Sequence, residues 1–355
     1  MKSVRENTPD ILDDLVNWEK LDARMSDGVE GDPESIRGYL KHTRSFIKRW
    51  VSARNRDSLT GDFQYRRLRR TNDSIQAVYR LITVRGAATY YGLEIDVSAD
   101  GSLCIVDFDD IGQGEKFSEY GSRILTGLLD GLGAEIPVNP TPVQRESIRN
   151  INDRLVFSRL VKDRKPLGAL SVYRSLPESD QRDRHILFLR LKAAEELEPC
   201  GSEHQQAIED IETFVPDGSS RHFITLSYYT RSGNTERALA SADHLLKEFG
   251  PDAWIEMQIA SIYKKSGQLD VARKTIDLAV EREPNMWIAH LNRVDIATAQ
   301  FDFAAAVDSL VYLDAIRPIA DLSKFERGSN NELLVISTEY LQWKASRAKS
   351  QTPLK

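Results

Sequence analysis

Residues 253–286 read AWIEMQIASIYKKSGQLDVARKTIDLAVEREPNM. Ile259, Ala260 and Tyr263 precede Gly267, and Ala272, Ile276, Ala279 and Pro284 follow it. A step of 34 residues towards the N-terminus lands on Thr225, Leu226, Tyr229, Gly233, Ala238, Ala242, Leu245 and Gly250, with Pro251 next. The same step the other way lands on Arg293, Val294, Ala297, Phe301, Ala306, Leu310, Leu313 and Pro318. A fixed period of this length marks stacked supersecondary repeats rather than one closed core. It argues for a binding surface before it argues for an active site.

Small and apolar residues fall at helical intervals on both sides of the Gly position, so two antiparallel helices joined by a tight turn bring them onto facing stripes. The alanine early in the second helix lets the backbones approach, and the proline ends that helix and sets the turn into the next repeat. This pattern resembles the tetratricopeptide repeat, a helix–turn–helix unit that stacks into a right-handed superhelix. Residues 253–286 match its pattern well and 219–252 fairly well. Residues 287–320 depart from it, with Arg293 at a usual Leu, Ala297 at a usual aromatic and Phe301 at the usual Gly. Pro216 lies 68 residues before Pro284 and keeps the register. Upstream helices are therefore predicted around Ile186–Leu197 and Glu203–Phe214, and a further pair over Leu155–Val161 and Leu167–Leu176. That makes roughly five repeats over 150–320, above the three or so that such an array needs. A last helix over Asn331–Ala348, with Leu333, Leu334, Tyr340, Leu341 and Trp343, is predicted to cap the array.

The resemblance implies a function as well as a fold. In this family the first helix of each repeat lines a concave groove that holds a partner segment. Carried over by position, the groove residues are Ser220, Phe223, Ser227, Thr230 and Arg231, then Trp254, Met257, Ser261, Lys264 and Lys265, then Ile288, Leu291, Asp295, Thr298 and Ala299. Phe223, Trp254, Met257 and Leu291 either anchor an apolar side chain of a partner or pack against the neighbouring repeat. The set of Lys and Asn residues with which some members grip a C-terminal carboxylate is not matched here, so a receptor for chaperone tails is not expected.

The N-terminal part reads differently. Thr8-Pro9 and Asp32-Pro33 are helix starts, a capping residue followed by Pro at the first position. Ile11, Leu15, Trp18 and Leu21 make the apolar stripe of the first helix. Ile36, Tyr39, Leu40, Thr43, Ile47, Trp50 and Val51 make that of the second. A third helix is predicted over 63–91, through Leu68, Ile75, Val78, Tyr79 and Ile82. The period then changes to two: Leu93, Ile95 and Val97, a turn at Ala99-Asp100-Gly101, and a strand over Leu103–Phe108 predict a β-hairpin. Asp107, Asp109 and Asp110 lack the spacing of a calcium loop and have no nearby His, so they read as a solvated strand end. A helix over Phe117–Leu132 and a Pro-rich linker over Gly133–Pro142 follow.

Between Arg37 and Arg85 there are thirteen Lys or Arg against three acids, although the whole chain carries −6. Arg37, Lys41, Arg44 and Lys48 share one stripe of the second helix, and Arg66, Arg67, Arg69 and Arg70 form a second cluster. This region either meets an anionic partner such as RNA, DNA or a membrane surface, or it is a solvated face or packs on the acidic remainder of the chain.

The 41% hydrophobic content suffices for a folded protein. No run of about 18 apolar residues is found, so no transmembrane helix is expected. Met1–Asn7 leads into acidic residues, not an apolar stretch, so no secretory signal is expected. Cys104 and Cys200 lack metal spacing and fit a reducing, cytoplasmic setting. No phosphate loop, nucleophile turn or zinc-binding HExxH pair is present, and the six histidines are scattered. The sequence predicts a mainly α protein: a tetratricopeptide-like superhelix behind an N-terminal helical region with a small β-hairpin. The expected divisions are 1–92, 93–145, 146–320 and 321–355. The expected function is a non-enzymatic scaffold or adaptor without cofactor or metal, binding another protein in the groove. The alternative is polyanion binding through 37–85 with the repeats as a platform.

Overall fold

The computed structural model describes residues 14–57, 62–70, 74–83, 86–98, 100–112, 114–132, 142–316, 326, 328 and 331–350, some by backbone alone. The chain divides into two compact modules at Ile224/Thr225, and each is taken by itself. No helix among the described residues is long and apolar enough to cross a membrane.

In the N-terminal module, helix α1 spans Trp18–Ser26 and is capped by Asn17, whose side chain accepts from the Lys20 N–H. Residues 1–13, with Thr8-Pro9 and Ile11, lie outside the described residues, and Leu15 is exposed instead of joining the α1 stripe. Val16 instead bridges in parallel to Ile105, and the Asn17 N–H donates to the Ile105 carbonyl at 2.9 Å. Helix α2, Pro33–Asp57, starts where predicted, with Asp32 accepting from the Ser35 N–H at 2.8 Å. Its Leu40 joins Val16, Leu21 and Met25 in a small core.

The segment 63–91 is not a helix. It runs through strands β1 (Asp62–Arg70) and β2 (Ile75–Ile82) into β3 (Ala88–Val97), which continues to β4 (Leu103–Asp110) and the short β5 (Glu115–Lys116). The five strands form an antiparallel meander in chain order. The error has a physical cause. Ile75, Val78, Tyr79 and Ile82 sit at intervals of three, four and seven, which mimics a helical stripe. β2 is covered on both faces, with six of its eight residues buried, and a strand buried on both faces shows no alternation. The predicted hairpin is present as β3–β4, but as part of this sheet, and the division expected at 92/93 falls inside β3. Helix α3 occupies Phe117–Leu132, as predicted. The linker 133–141 lies outside the described residues.

Helices α4 (Pro142–Lys162), α5 (Pro166–Ser175), the one-turn α6 (Glu178–Gln181), α7 (Arg184–Leu197) and α8 (Ser202–Phe214) follow, and then α9 (Ser219–Ser232), in which the module ends. Phe157 and Val161 of α4, Ala169, Leu170 and Tyr173 of α5, and Ile186 and Ala193 of α7 share one core.

The C-terminal module continues α9 and adds α10 (Thr235–Phe249), α11 (Ala253–Lys265), α12 (Leu269–Arg282), α13 (Trp287–Ala299), α14 (Phe303–Ile316), α15 (Glu332–Val335) and α16 (Thr338–Ser350). The periodic small positions lie at the helix crossings: Ala238, Ala242, Ala260, Ala272, Ala279, Ala297 and Ala306 are wholly buried. Leu334, Tyr340 and Trp343 of the last two helices close the core over Val294, Leu310 and Leu313, and Arg347 holds Asp314 with two hydrogen bonds.

Five hairpins turn through one residue in the left-handed region: Arg164, Cys200, Gly233, Gly267 and Phe301. In four of them the next residue's N–H reaches back five positions: Lys165 to Leu160, Asn234 to Tyr229, Gln268 to Tyr263 and Asp302 to Ala297, at 2.9–3.0 Å. This is the Schellman closure of a helix end. Asn234 and Asp302 then cap the next helix, accepting from the Arg237 and Ala305 N–H groups. The departures at 287–320 are thus absorbed. Phe301 adopts φ +60° in place of glycine, and the Arg293 guanidinium bonds Asp277 of the preceding repeat and the Ser309 hydroxyl.

Two substitutions test this geometry by chemical denaturation. Phe301→Gly relieves a left-handed non-glycine residue and is expected to stabilise by about 0.5–1 kcal/mol after loss of the ring contact with Phe303. A lower midpoint would mean that the ring contributes more than the backbone costs. Ala272→Leu overpacks the α11–α12 crossing and is expected to cost about 1–3 kcal/mol; an unchanged midpoint would contradict close packing there.

Candidate functional site

The first helices α9, α11 and α13 are tied to one another within the C-terminal module. The Lys265 ammonium donates to the Thr230 carbonyl at 3.2 Å. The Asn292 amide donates to the Ser261 hydroxyl at 2.7 Å, and Lys264 pairs with Asp295. Ser227, Arg231, Ser261, Lys264, Lys265 and Asp295 therefore belong to one continuous surface. Arg231 and Lys265 are exposed and Trp254 is half-buried. Lys264 shares its charge with Asp295, which leaves the cationic character of this face to Arg231 and Lys265.

The apolar anchors fare less well. Met257 is 3% exposed and is a core residue. Leu291 packs on the core that Tyr340 and Trp343 close. Phe223, in the N-terminal module, stacks on Tyr90 of β3 with ring centroids 4.9 Å apart, and its neighbour Ser220 is buried. These three occupy one register position, 34 residues apart; Met257 is buried and the other two are half-buried. Thr298 is likewise buried, and its hydroxyl donates to the Val294 carbonyl. Of the four apolar anchors, Met257 is lost to the core, while Phe223, Trp254 and Leu291 are each half-buried.

The first basic group lies on helix α2 as expected, but the second lies on a strand. Arg37 and Lys41 are exposed on α2, whereas Arg44 is bound to Asp22 and lies over the Trp18 ring. The Lys48 side chain lies outside the described residues. Arg66, Arg67, Arg69 and Arg70 are on strand β1, so they divide between its faces and a bulge at Arg66. Arg67 and Arg70 are exposed, while Arg69 turns in to the Gln76 side-chain oxygen at 2.6 Å.

What the sequence reading missed is an ionic centre on one face of the sheet. Residues paired across strands share a face, so Arg69, Gln76, Glu94 and Asp107 form one row and Val78, Gly92 and Asp109 the next. Gly92 lets the rows pack closely, since a Cβ there would lie 3.0 Å from the Gln76 oxygen and 3.3 Å from the Asp109 Cβ. Glu94 is met by Arg24 of α1 at 2.8 Å and Lys116 of β5 at 3.0 Å. Burial alone would raise its carboxyl, but these cations outweigh it and hold the group below its ordinary value. Asp107 accepts from the Ser118 N–H at 3.1 Å and from the Ser118 hydroxyl, with Arg24 at 3.5 Å. Burial nevertheless pushes its carboxyl up. Asp109 is pushed up to about 6 by burial, against the pull of Arg69 and Lys116. Asp107 and Asp109 are therefore not a solvated strand end: Asp107 is 1% exposed and Asp109 is desolvated. No local signal marks this centre, because Glu94 and Asp107 alternate with apolar neighbours as solvent-facing residues do.

No protein family and no curated protein matches the chain. Among solved structures the chain is similar to PilW, described as a widely conserved type IV pilus biogenesis factor. The identity is 12% and the TM-score 0.44, over 58% of this chain and 95% of that one. The repeat assignment rests instead on the turns and crossings described above.

The Asp109 shift gives a pH test. A carboxyl raised from 3.8 to about 6 on folding contributes stability that is complete below about pH 4 and lost as pH rises through 6. Asp109→Asn stays neutral throughout. Its stability relative to the unsubstituted protein is expected to rise between pH 4 and pH 8, by up to about 3 kcal/mol. Urea denaturation at the two pH values checks this, and an unchanged difference would mean that Arg69 and Lys116 keep the carboxylate ionised at acid pH.

Proposed function

We propose that this protein is a non-enzymatic scaffold that binds a segment of a partner protein along the first helices of its C-terminal repeats. The observation that carries the reading is the continuity of α9, α11 and α13, cross-tied by Lys265–Thr230, Lys264–Asp295 and Asn292–Ser261. A surface built from successive repeats is long, rigid and pre-formed, so a partner bears little ordering cost on the scaffold side. The partner chemistry follows from the side chains. Exposed Arg231 and Lys265 favour Asp or Glu on the partner, and Trp254 offers one aromatic contact of the type that dominates binding energy. Met257 is buried and does not belong to this surface.

Site-specific photo-crosslinking in the native cell tests the proposal. A crosslinker at Lys265 or Arg231 is expected to trap a partner protein that a crosslinker at Leu278, exposed on the second helix α12, does not. Trp254→Ala should then weaken capture by more than about 1 kcal/mol with helicity retained. Equal trapping from both positions, or full capture by Trp254→Ala, would move the binding face elsewhere.

A further inference from the structure

β1 is an edge strand. Among the described residues it is hydrogen-bonded on one side only, to β2, over the nine residues Asp62–Arg70. The other edge of the sheet is treated differently, since Val16 and β5 both pair along β4. Proteins blunt open edges with short strands, prolines, bulges or charge, because an unpaired backbone is a template for another strand. β1 is long for an edge and has no proline. Its only interruption is the bulge at Arg66, and its charge is all of one sign between Arg66 and Arg70.

The side chains say what this edge fits. Tyr65, Leu68 and Arg70 share one face, as their partners Tyr79, Ala77 and Ile75 on β2 do. Tyr65, Leu68 and Ile75 are 48%, 57% and 42% exposed, an apolar strip along the edge. Arg70 stands exposed at its end, and Arg67 is exposed on the opposite face. We infer that β1 is a docking edge for an extended acidic segment of a partner protein. The segment adds as a further antiparallel strand, with apolar residues on Leu68 and Tyr65 and carboxylates on Arg67 and Arg70. Backbone pairing gives affinity and alternate side chains give selectivity, which is the strand-addition mode of peptide recognition. A second copy of this chain is the wrong occupant, because pairing β1 with β1 gathers eight arginines against two aspartates on two adjacent strands. The inference is independent of the repeat surface.

The test uses the full chain and a fluorescein-labelled twelve-residue probe peptide of alternating Glu and Val. Anisotropy should show binding at low salt that weakens as salt rises, and deuterium exchange should slow over 62–70 when the probe is present. Arg67→Glu with Arg70→Glu should weaken binding at least about tenfold, with circular dichroism unchanged. If that variant does not fold, Arg67→Gln with Arg70→Gln replaces it. The same peptide with central prolines should also bind at least about tenfold more weakly, since it cannot pair along a strand. Four results would overturn the inference: no binding at low salt, equal binding of the proline peptide, protection outside β1, or equal binding of a single-stranded oligonucleotide of matched charge. A concentration-dependent dimer abolished by the Arg67 and Arg70 changes would assign the edge to a second copy and overturn it too.

Discussion

Each helical hairpin has to reverse the chain within a few residues, and that demand on the backbone underlies the repeat array. A single left-handed residue does it, and the following N–H closes the finished helix. Once the reversal is fixed, the residue after the turn starts the second helix, and the crossing point falls a set distance later. That is where Ala238, Ala272 and Ala306 stand, each wholly buried. A larger side chain would push the helices apart, so the turn and the alanine together set the helix separation. Phe301 shows which of the two constraints is the stricter. Its repeat keeps the turn at φ +60° without glycine, accepting backbone strain instead of a different geometry.

This explains what was legible in the sequence. The repeats were readable because their rules are local and recur: a turn residue, a small residue five positions on, a proline near the end. The sheet was not, because its determinants are spread over distant residues. The both-face burial of β2 comes from elements outside it, and Ile75, Val78, Tyr79 and Ile82 satisfy a helical template as well as a strand. Leu93, Ile95 and Val97 marked β3 as a strand, but the face they occupy is the less buried one, and the buried face holds Tyr90, Gly92 and Glu94. That face could not be read, since nothing near Glu94 in sequence announces that Arg24 and Lys116 will meet it.

The ionic centre has a different logic from the repeats. Several charges and amides are buried on one sheet face, and each charge taken from water has to be offset by a partner. Glu94 has two cations and Asp107 has two bonds from Ser118. Among the described residues Asp109 has Arg69 at 3.8 Å and Lys116 near it, which does not offset its burial, so its carboxyl, unlike that of Glu94, is raised. Such a centre adds little to net stability compared with apolar packing. It does fix how α1, α3 and β5 sit on the sheet, because displacing any of them strands a buried charge.

The register position shared by Phe223, Met257 and Leu291 bears directly on recognition. The resemblance to a groove-binding family makes all three contact residues, yet Met257 is in the core, and the half-buried Phe223 and Leu291 pack on Tyr90 and on the C-terminal cluster. The position one turn further on holds Ser227, Ser261 and Asp295, and the next holds Arg231, Lys265 and Ala299. The surface in question is thus polar and cationic, with Trp254 as its large apolar feature. Exposed charges contribute little affinity singly and act mainly on encounter rate and partner choice. On the scaffold reading proposed above, the aromatic contact would therefore supply most of the affinity, and Arg231 and Lys265 would supply the discrimination between acidic and neutral partners.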